Sequence, residues 1–326
     1  MILPYYLRLL CLCLATFFVV QALACLLVRL LTPAALRLAG AMKPRMASRW
    51  LFALRTAPAA VALFLVLGFC VPSYVWLEPD IAVERVGWFC LAAAALAAMS
   101  WILSLFRSST AVVRTELYLR RCHLLRPILD SLPDAEPLLV VEDRSATMAV
   151  AGVLQPKLVV SRAVRDALSR EQWEAALRHE AAHQASRDNL KKLLLLLLPD
   201  VVPFLRGSPR LEQGWARFTE WAADDAAVDG SRERAFSLAS ALVRVAKLGM
   251  QPVPGYVLLS LIESDRELAT RVDRLLREPA YAERPLRPVV GFVRNTALVI
   301  GSLAITVFLW PQSLGSIHQL LERLVK

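Results

Sequence analysis

Apolar residues run almost unbroken over 9–28, 56–77, 86–106 and 289–310. A bilayer core takes about 20 apolar residues in helical form, so each stretch predicts a membrane-spanning helix. Pro72 lies near the end of the second stretch, where a helix tolerates it. Arg294 lies near one end of the fourth, where a long side chain can snorkel to the interface. A fifth apolar run at 193–205 is shorter and is interrupted by Pro199, Asp200 and Pro203. It reads as a hairpin packed on a neighbouring domain or dipping into the membrane surface, rather than a fifth span.

Between 107 and 288 the pattern changes. Residues 137–142, 146–153 and 157–161 are short β-rich runs joined by turn signals and predict strands. From Ser161 onward the period becomes helical. Ser169 followed by Gln172 fits a capping box, so a helix is expected from there to about Arg187. Further helices are expected over about 211–228, 232–248 and 254–277. The order is a small sheet followed by helices, and no internal repeat interrupts it.

Charge orients these pieces. Arg29, Arg37, Lys43, Arg45, Arg49 and Arg55 separate the first two spans with no acidic residue among them. Glu78, Asp80 and Glu84 fill the next loop with Arg85 alone against them. Arg107, Arg114, Arg120, Arg121 and Arg126 follow the third span, and Arg277, Arg284 and Arg287 precede the fourth. The positive-inside rule then places 107–288 in the cytoplasm of a bacterial-type inner (cell) membrane, with both termini outside. The expected division is 1–106 for three spans, 107–288 for a cytoplasmic domain, and 289–326 for a fourth span and a short outer tail. A net charge of +10 in a chain that is 57% hydrophobic and 20% charged agrees with basic membrane loops. Direct nucleic-acid binding is not expected, because the basic residues track membrane sides and not a helix face.

Six cysteines include no CxxC pair, and the first five lie in apolar runs, where a thiol packs as a small hydrophobe. Cys25 follows Ala22-Leu23-Ala24, a faint lipoprotein box, but the apolar run continues beyond it and reads as an uncleaved helix.

Residues 178–190 read RHEAAHQASRDNL. On a helix His179 and His183 share one face, one turn apart, so both imidazoles can reach one zinc ion. Glu180 is rotated by about 100° from His179 and need not ligate; it can act as general base toward water at the metal. The chain has only four histidines, and two fill this pattern; His123 and His318 are isolated and carry no assigned role. The alternative is a surface helix with two incidental histidines. A catalytic zinc wants a third protein ligand. Within FTEWAADD at 218–225, Glu220 and Asp224 again share a helix face. Glu220 is the third candidate ligand, and Asp224 can orient a ligand histidine through its other ring nitrogen. Asp225 and Asp229 read as a solvated face.

HEAAH with the following Arg187-Asp188, then Glu220-Trp-Ala-Ala-Asp224, resembles the gluzincin integral-membrane metallopeptidases. Two branches share this pattern: the HtpX heat-shock proteases with the CAAX prenyl endopeptidases, and the BlaR/MecR-type sensor-transducer peptidases. The stretch AVAGVLQPKLVVS at 149–161 and the layout of three spans, zinc domain and fourth span resemble the BlaR/MecR branch more closely. What the resemblance implies is a mainly α membrane protein with four transmembrane helices and a cytoplasmic α+β zincin-like metallopeptidase domain. It implies one Zn2+ per chain on His179, His183 and Glu220, Glu180 as the base and Asp224 behind a histidine. The substrate would be a protein, a transcriptional repressor being one case, and the role regulatory proteolysis in signal transduction. Nothing the size of a penicillin-binding domain follows Trp310, so antibiotic sensing by this chain itself is not expected. An HtpX-like quality-control protease is the alternative enzyme; a non-catalytic membrane signalling protein that keeps the fold is the alternative of another class.

Two features stay open between readings. The 146–153 strand is either the edge against which an extended substrate aligns or a plain structural strand. Arg271 either holds an oxyanion or the site glutamates, or is a helix-surface arginine.

Overall fold

The computed structural model describes residues 4–77, 86–125, 138–141, 148–200, 209–249, 258–260 and 265–277. Three long apolar rods dominate the first part. Helix α1 spans Tyr5–Gly40. Helix α2 (Pro44–Leu65) passes through a π-helical turn at Val66–Cys70 into α3 (Val71–Leu77). Helix α4 spans Trp88–Arg121. Among the described residues these three rods are long and apolar enough to cross a membrane. At 34 residues or more, each is about 50 Å long, well beyond a hydrocarbon core of about 30 Å. The excess projects from the bundle. Leu23, Leu26, Leu27 and Leu30 stay exposed on α1, as lipid-facing residues would. The inward stripe of α4 is small: Ala93, Ala97, Ser100, Ser104, Ser108 and Ala111 are buried. Small residues let helix backbones approach where lipid removes the hydrophobic drive.

A five-stranded sheet follows, ordered β1 (His123–Leu125), β2 (Leu138–Val141), β4 (Lys157–Ser161), β3 (Met148–Ala151), β5 (Leu258–Ser260). Only β2 and β4 pair in parallel; the other pairs are antiparallel. Both β3 and the end of β4 are buried, since helices cover the sheet. The helices are α5 (Arg162–Ala167), α6 (Arg170–Ala185), α7 (Asp188–Leu197), α8 (Pro209–Val228), α9 (Arg232–Lys247) and α10 (Asp265–Leu276). The domain core gathers Met148 and Val160 from the sheet, Trp173 and Ala176 from α6, and Leu238, Leu242 and Val245 from α9.

A second core joins the membrane rods to the domain. Ala47 and Leu51 on α2 pack with Leu211, Trp215 and Phe218 on α8. Gly214 makes this crossing close: a Cβ there would stand 2.5 Å from Leu36 Cδ2 and 3.4 Å from Leu51 Cδ1. No chain break separates spans from domain, because α4 continues past residue 107 to Arg121.

Two elements depart from the sequence pattern. The helix expected over 254–277 is instead β5 followed by α10. A short apolar run reads equally as strand or helix, and here the open side of β3 recruits it as a strand. The short β1 has no period long enough to detect. The 193–205 run contributes the end of α7 up to Leu197, and residues beyond Asp200 in that run lie outside the described ones, as does the fourth span expected at 289–310.

Leu51 has no exposed surface, so Leu51→Ala should lower stability by about 2–5 kcal/mol through lost burial and a cavity. Leu154→Ala, at a side chain 94% exposed, should leave the detergent-solubilised melting curve unchanged.

Candidate metal centre

The α6 helix starts at a full capping box. Gln172 N–H donates to Ser169 Oγ, and Ser169 N–H donates to Gln172 Oε1 at 3.0 Å. This fixes the phase of the helix. Trp173 and Ala176 then meet the core, and His179, Glu180 and His183 come inward on the same side, all 2% exposed or less. Arg187 stops the helix in a left-handed conformation at φ 53°. That bend starts α7 at Asp188, whose carboxylate accepts from His183 Nδ1 at 2.9 Å.

Helix α8 packs across α6 and delivers the acidic half. Asp224 Oδ1 lies 3.0 Å from His179 Nδ1. Glu220 Oε2 lies 3.5 Å from His179 Nε2, and Oε1 lies 3.4 Å from His183 Nε2. The two Nε2 atoms stand 3.1 Å apart. Helix α10 adds Arg271, which is 3% exposed. Its Nη2 and Nε donate to Asp224 at 2.7 and 2.9 Å, and Nη1 meets Glu220 Oε2 at 2.9 Å. Arg271 is therefore not a surface arginine; it holds the two site carboxylates.

Each ring is oriented from behind by a carboxylate, which only accepts. His183 Nδ1 therefore carries a proton toward Asp188, His179 Nδ1 lies against Asp224, and the two Nε2 atoms face each other beside the Glu220 carboxylate. His179 Nε2 also stands 3.4 Å from Arg271 Nη2, a donor, so a proton or a cation can occupy the space among these atoms. Ligand atoms at about 2.0–2.1 Å from a tetrahedral zinc stand roughly 3.3–3.4 Å apart; here the two Nε2 atoms are 3.1 Å apart, and each lies 3.4 or 3.5 Å from a different oxygen of Glu220. His179, His183 and Glu220 offer one ligand atom each within 4.8 Å of one another. Two imidazoles and one carboxylate are a zinc-type donor set. Among the described residues, the basic side chains paired with the site carboxylates are Arg271, on Glu220 and Asp224, and the partly exposed Lys191, bound to Asp188 at 2.6 Å.

The acidities follow from the same contacts. Burial opposes a charged His183, yet the Glu220 charge and the Asp188 hydrogen bond outweigh it and push the pKa up to about 10. His179 is raised as well, with Asp224 and Glu220 overcoming its burial. Burial would raise Glu220 and Asp224, but the Arg271 guanidinium dominates; it holds Glu220 well below the carboxylate range and Asp224 at about 2. Glu180 behaves differently. Burial pushes it up to about 7.

Glu180 Oε2 accepts from Val150 N–H of β3 at 3.1 Å, and Oε1 has no hydrogen-bond partner among the described residues. Asn189 of α7 donates to Val150 O and Gly152 O at 2.8 and 2.9 Å. So β3 is bound to the site helices. It is not an edge strand: β5 pairs along its other side, with Leu259 opposite Val150.

All five residues singled out by sequence thus meet in one buried cluster. Asp188 and Asn189 carry further contacts that the histidine spacing does not disclose; the charged RDN triplet at the helix end was their only trace. Asp225 is paired with Arg274 at the rim, and Asp229 stays exposed. No family model matches the chain, and no curated protein matches it either.

Arg271→Ala strands two buried carboxylates, so unfolding of the metal-free chain should become easier by about 3–5 kcal/mol. Arg274→Ala, at the more exposed pair, should cost less than about 1 kcal/mol. Denaturant titration of both variants checks the contrast.

Proposed function

We propose that the chain is a membrane zinc endopeptidase of the gluzincin type, nearest the BlaR/MecR-type sensor-transducers, with its site on the cytoplasmic side. The observation that carries this reading is the convergence of His179 Nε2, His183 Nε2 and a Glu220 oxygen on one point, with the Glu180 carboxylate beside it. The resemblance in HEAAH and EWAAD agrees with it.

His179, His183 and Glu220 would hold the zinc, which when bound supplies a Lewis acid that acidifies water and polarises a peptide carbonyl. The protein's own residues do the rest. Asp224 and Asp188 hold the two imidazoles with Nε2 presented for ligation. Arg271 neutralises the acidic pair behind them. Val150 N–H fixes Glu180 through Oε2, which leaves Oε1 to take the proton from the attacking water. The new C–O bond forms as the peptide C–N bond breaks, and Glu180 returns the proton to the departing nitrogen. The substrate is a polypeptide reached from the cytoplasm, and a regulatory protein such as a repressor fits the branch resembled.

Glu180→Gln keeps size and position but removes the base. Zinc content should stay near one per chain while cleavage of a co-expressed repressor, or of the chain itself, falls by about 10²–10⁴. Equal cleavage by variant and native chain removes Glu180 from the reaction. Glu220→Ala should lose zinc where Asp225→Ala keeps it; equal loss excludes Glu220 as a ligand.

Orientation is tested with reporter fusions at Asp80 and Gly230. The first should report the outside and the second the cytoplasm, and a Gly230 fusion reporting outside contradicts a cytoplasmic substrate.

A further inference from the structure

We propose that Arg55, where the second span enters the domain, is a positioning residue that sets the metal site from the membrane bundle by gripping both α7 and α8. The inference uses the metal reading above for only one of its two readouts.

Arg55 is 8% exposed. Its Nη2 stands 3.5 Å from Asp200 Oδ1, and its Nε donates to Glu212 Oε1 at 2.8 Å. Asp200 lies just beyond the end of α7, and Glu212 in the first turn of α8. The other rods close on the same spot. Arg107 of α4 donates to Asp200 Oδ2 at 2.8 Å, Ser104 Oγ donates to Leu198 O at 3.1 Å, and Gln21 of α1 donates to Pro199 O. The carbonyls of Leu198 and Pro199, just past the end of α7, are thus bonded by the membrane rods.

Helix α7 is ten residues long, about 15 Å of rigid rod. Its far end carries Asp188, which orients His183, and Asn189, which holds β3 over Glu180. On α8 the grip repeats. Arg55 holds Glu212, and Ser48 of α2 shares a buried 2.8 Å hydrogen bond with Thr219, the neighbour of Glu220. One rod therefore reaches the positions of two of the three ligands. Apolar contacts would anchor these helices as firmly, but they tolerate sliding; buried ion pairs and hydrogen bonds fix one register, because a partner displaced by 1 Å no longer bonds.

The test uses the full chain in lipid nanodiscs with Arg55→Met, the near-isosteric Asp200→Asn, and Arg120→Met as an exposed-pair control. Hydrogen exchange is followed on the metal-free protein, and zinc affinity by chelator competition. Arg55→Met and Asp200→Asn should speed exchange several-fold over 179–190 while 157–161 stays protected, and should weaken zinc by about 10-fold or more, as lost outer partners of ligands do. Arg120→Met should change neither. In an Asp188→Asn background, Asp200→Asn should add little further loss of zinc affinity, because both act through α7. Exchange that rises only around 198–200, or uniformly through the sheet, overturns the proposal, as do additive losses in the double variant. Should Arg55→Met fail to fold, Asp200→Asn decides alone. Should the native chain bind no zinc, the metal reading falls and the exchange data still decide this one.

Discussion

Four carboxylates buried among two histidines and one guanidinium are the constraint around which this molecule is organised. Ionised side chains far from water persist only when paired and hydrogen-bonded, so each must be met from a different direction. Asp188 arrives from α7, Glu220 and Asp224 from α8, Arg271 from α10, and the amide that holds Glu180 from β3. The adjoining α7 and three elements distant in sequence are thereby locked to α6. The two ring Nε2 atoms meet at 3.1 Å beside Glu220, where the cation proposed above would sit.

The membrane rods belong to the same arrangement. Their length exceeds a bilayer, and the projecting ends do not hang free: α2 forms a common core with α8 around Leu51 and Phe218. Polar groups from α1, α2 and α4 converge where α7 ends. A site built this way cannot shift independently of the bundle that carries it. The small-residue stripe of α4 makes the bundle itself tight.

Much of this was legible in the residues. The three rods follow from uninterrupted apolar runs, β2, β3 and β4 from short β-rich stretches, and the start of α6 from Ser169 and Gln172. His179, Glu180, His183, Glu220 and Asp224 follow from helical spacing plus what zinc chemistry asks for. The misses share one cause. Strand β5 and the interior place of β3 depend on which distant segment pairs where, and local pattern carries no such information. Asp188 serves His183 only because Arg187 adopts a left-handed turn, which a non-glycine residue does not advertise. Arg271 sits in an ordinary amphipathic helix; its burial follows from that helix packing on the core through Leu268, Val272 and Leu275 and from the acidic pair it meets.

The central claim is that two imidazoles and one carboxylate share a zinc ion. X-ray absorption at the zinc edge of the purified, zinc-loaded chain tests it most directly. The account predicts about one zinc per chain with two imidazole nitrogens and carboxylate oxygen in its shell, all at about 2.0–2.2 Å. A shell containing sulfur at about 2.3 Å, or a native chain that holds no zinc at all, would contradict it.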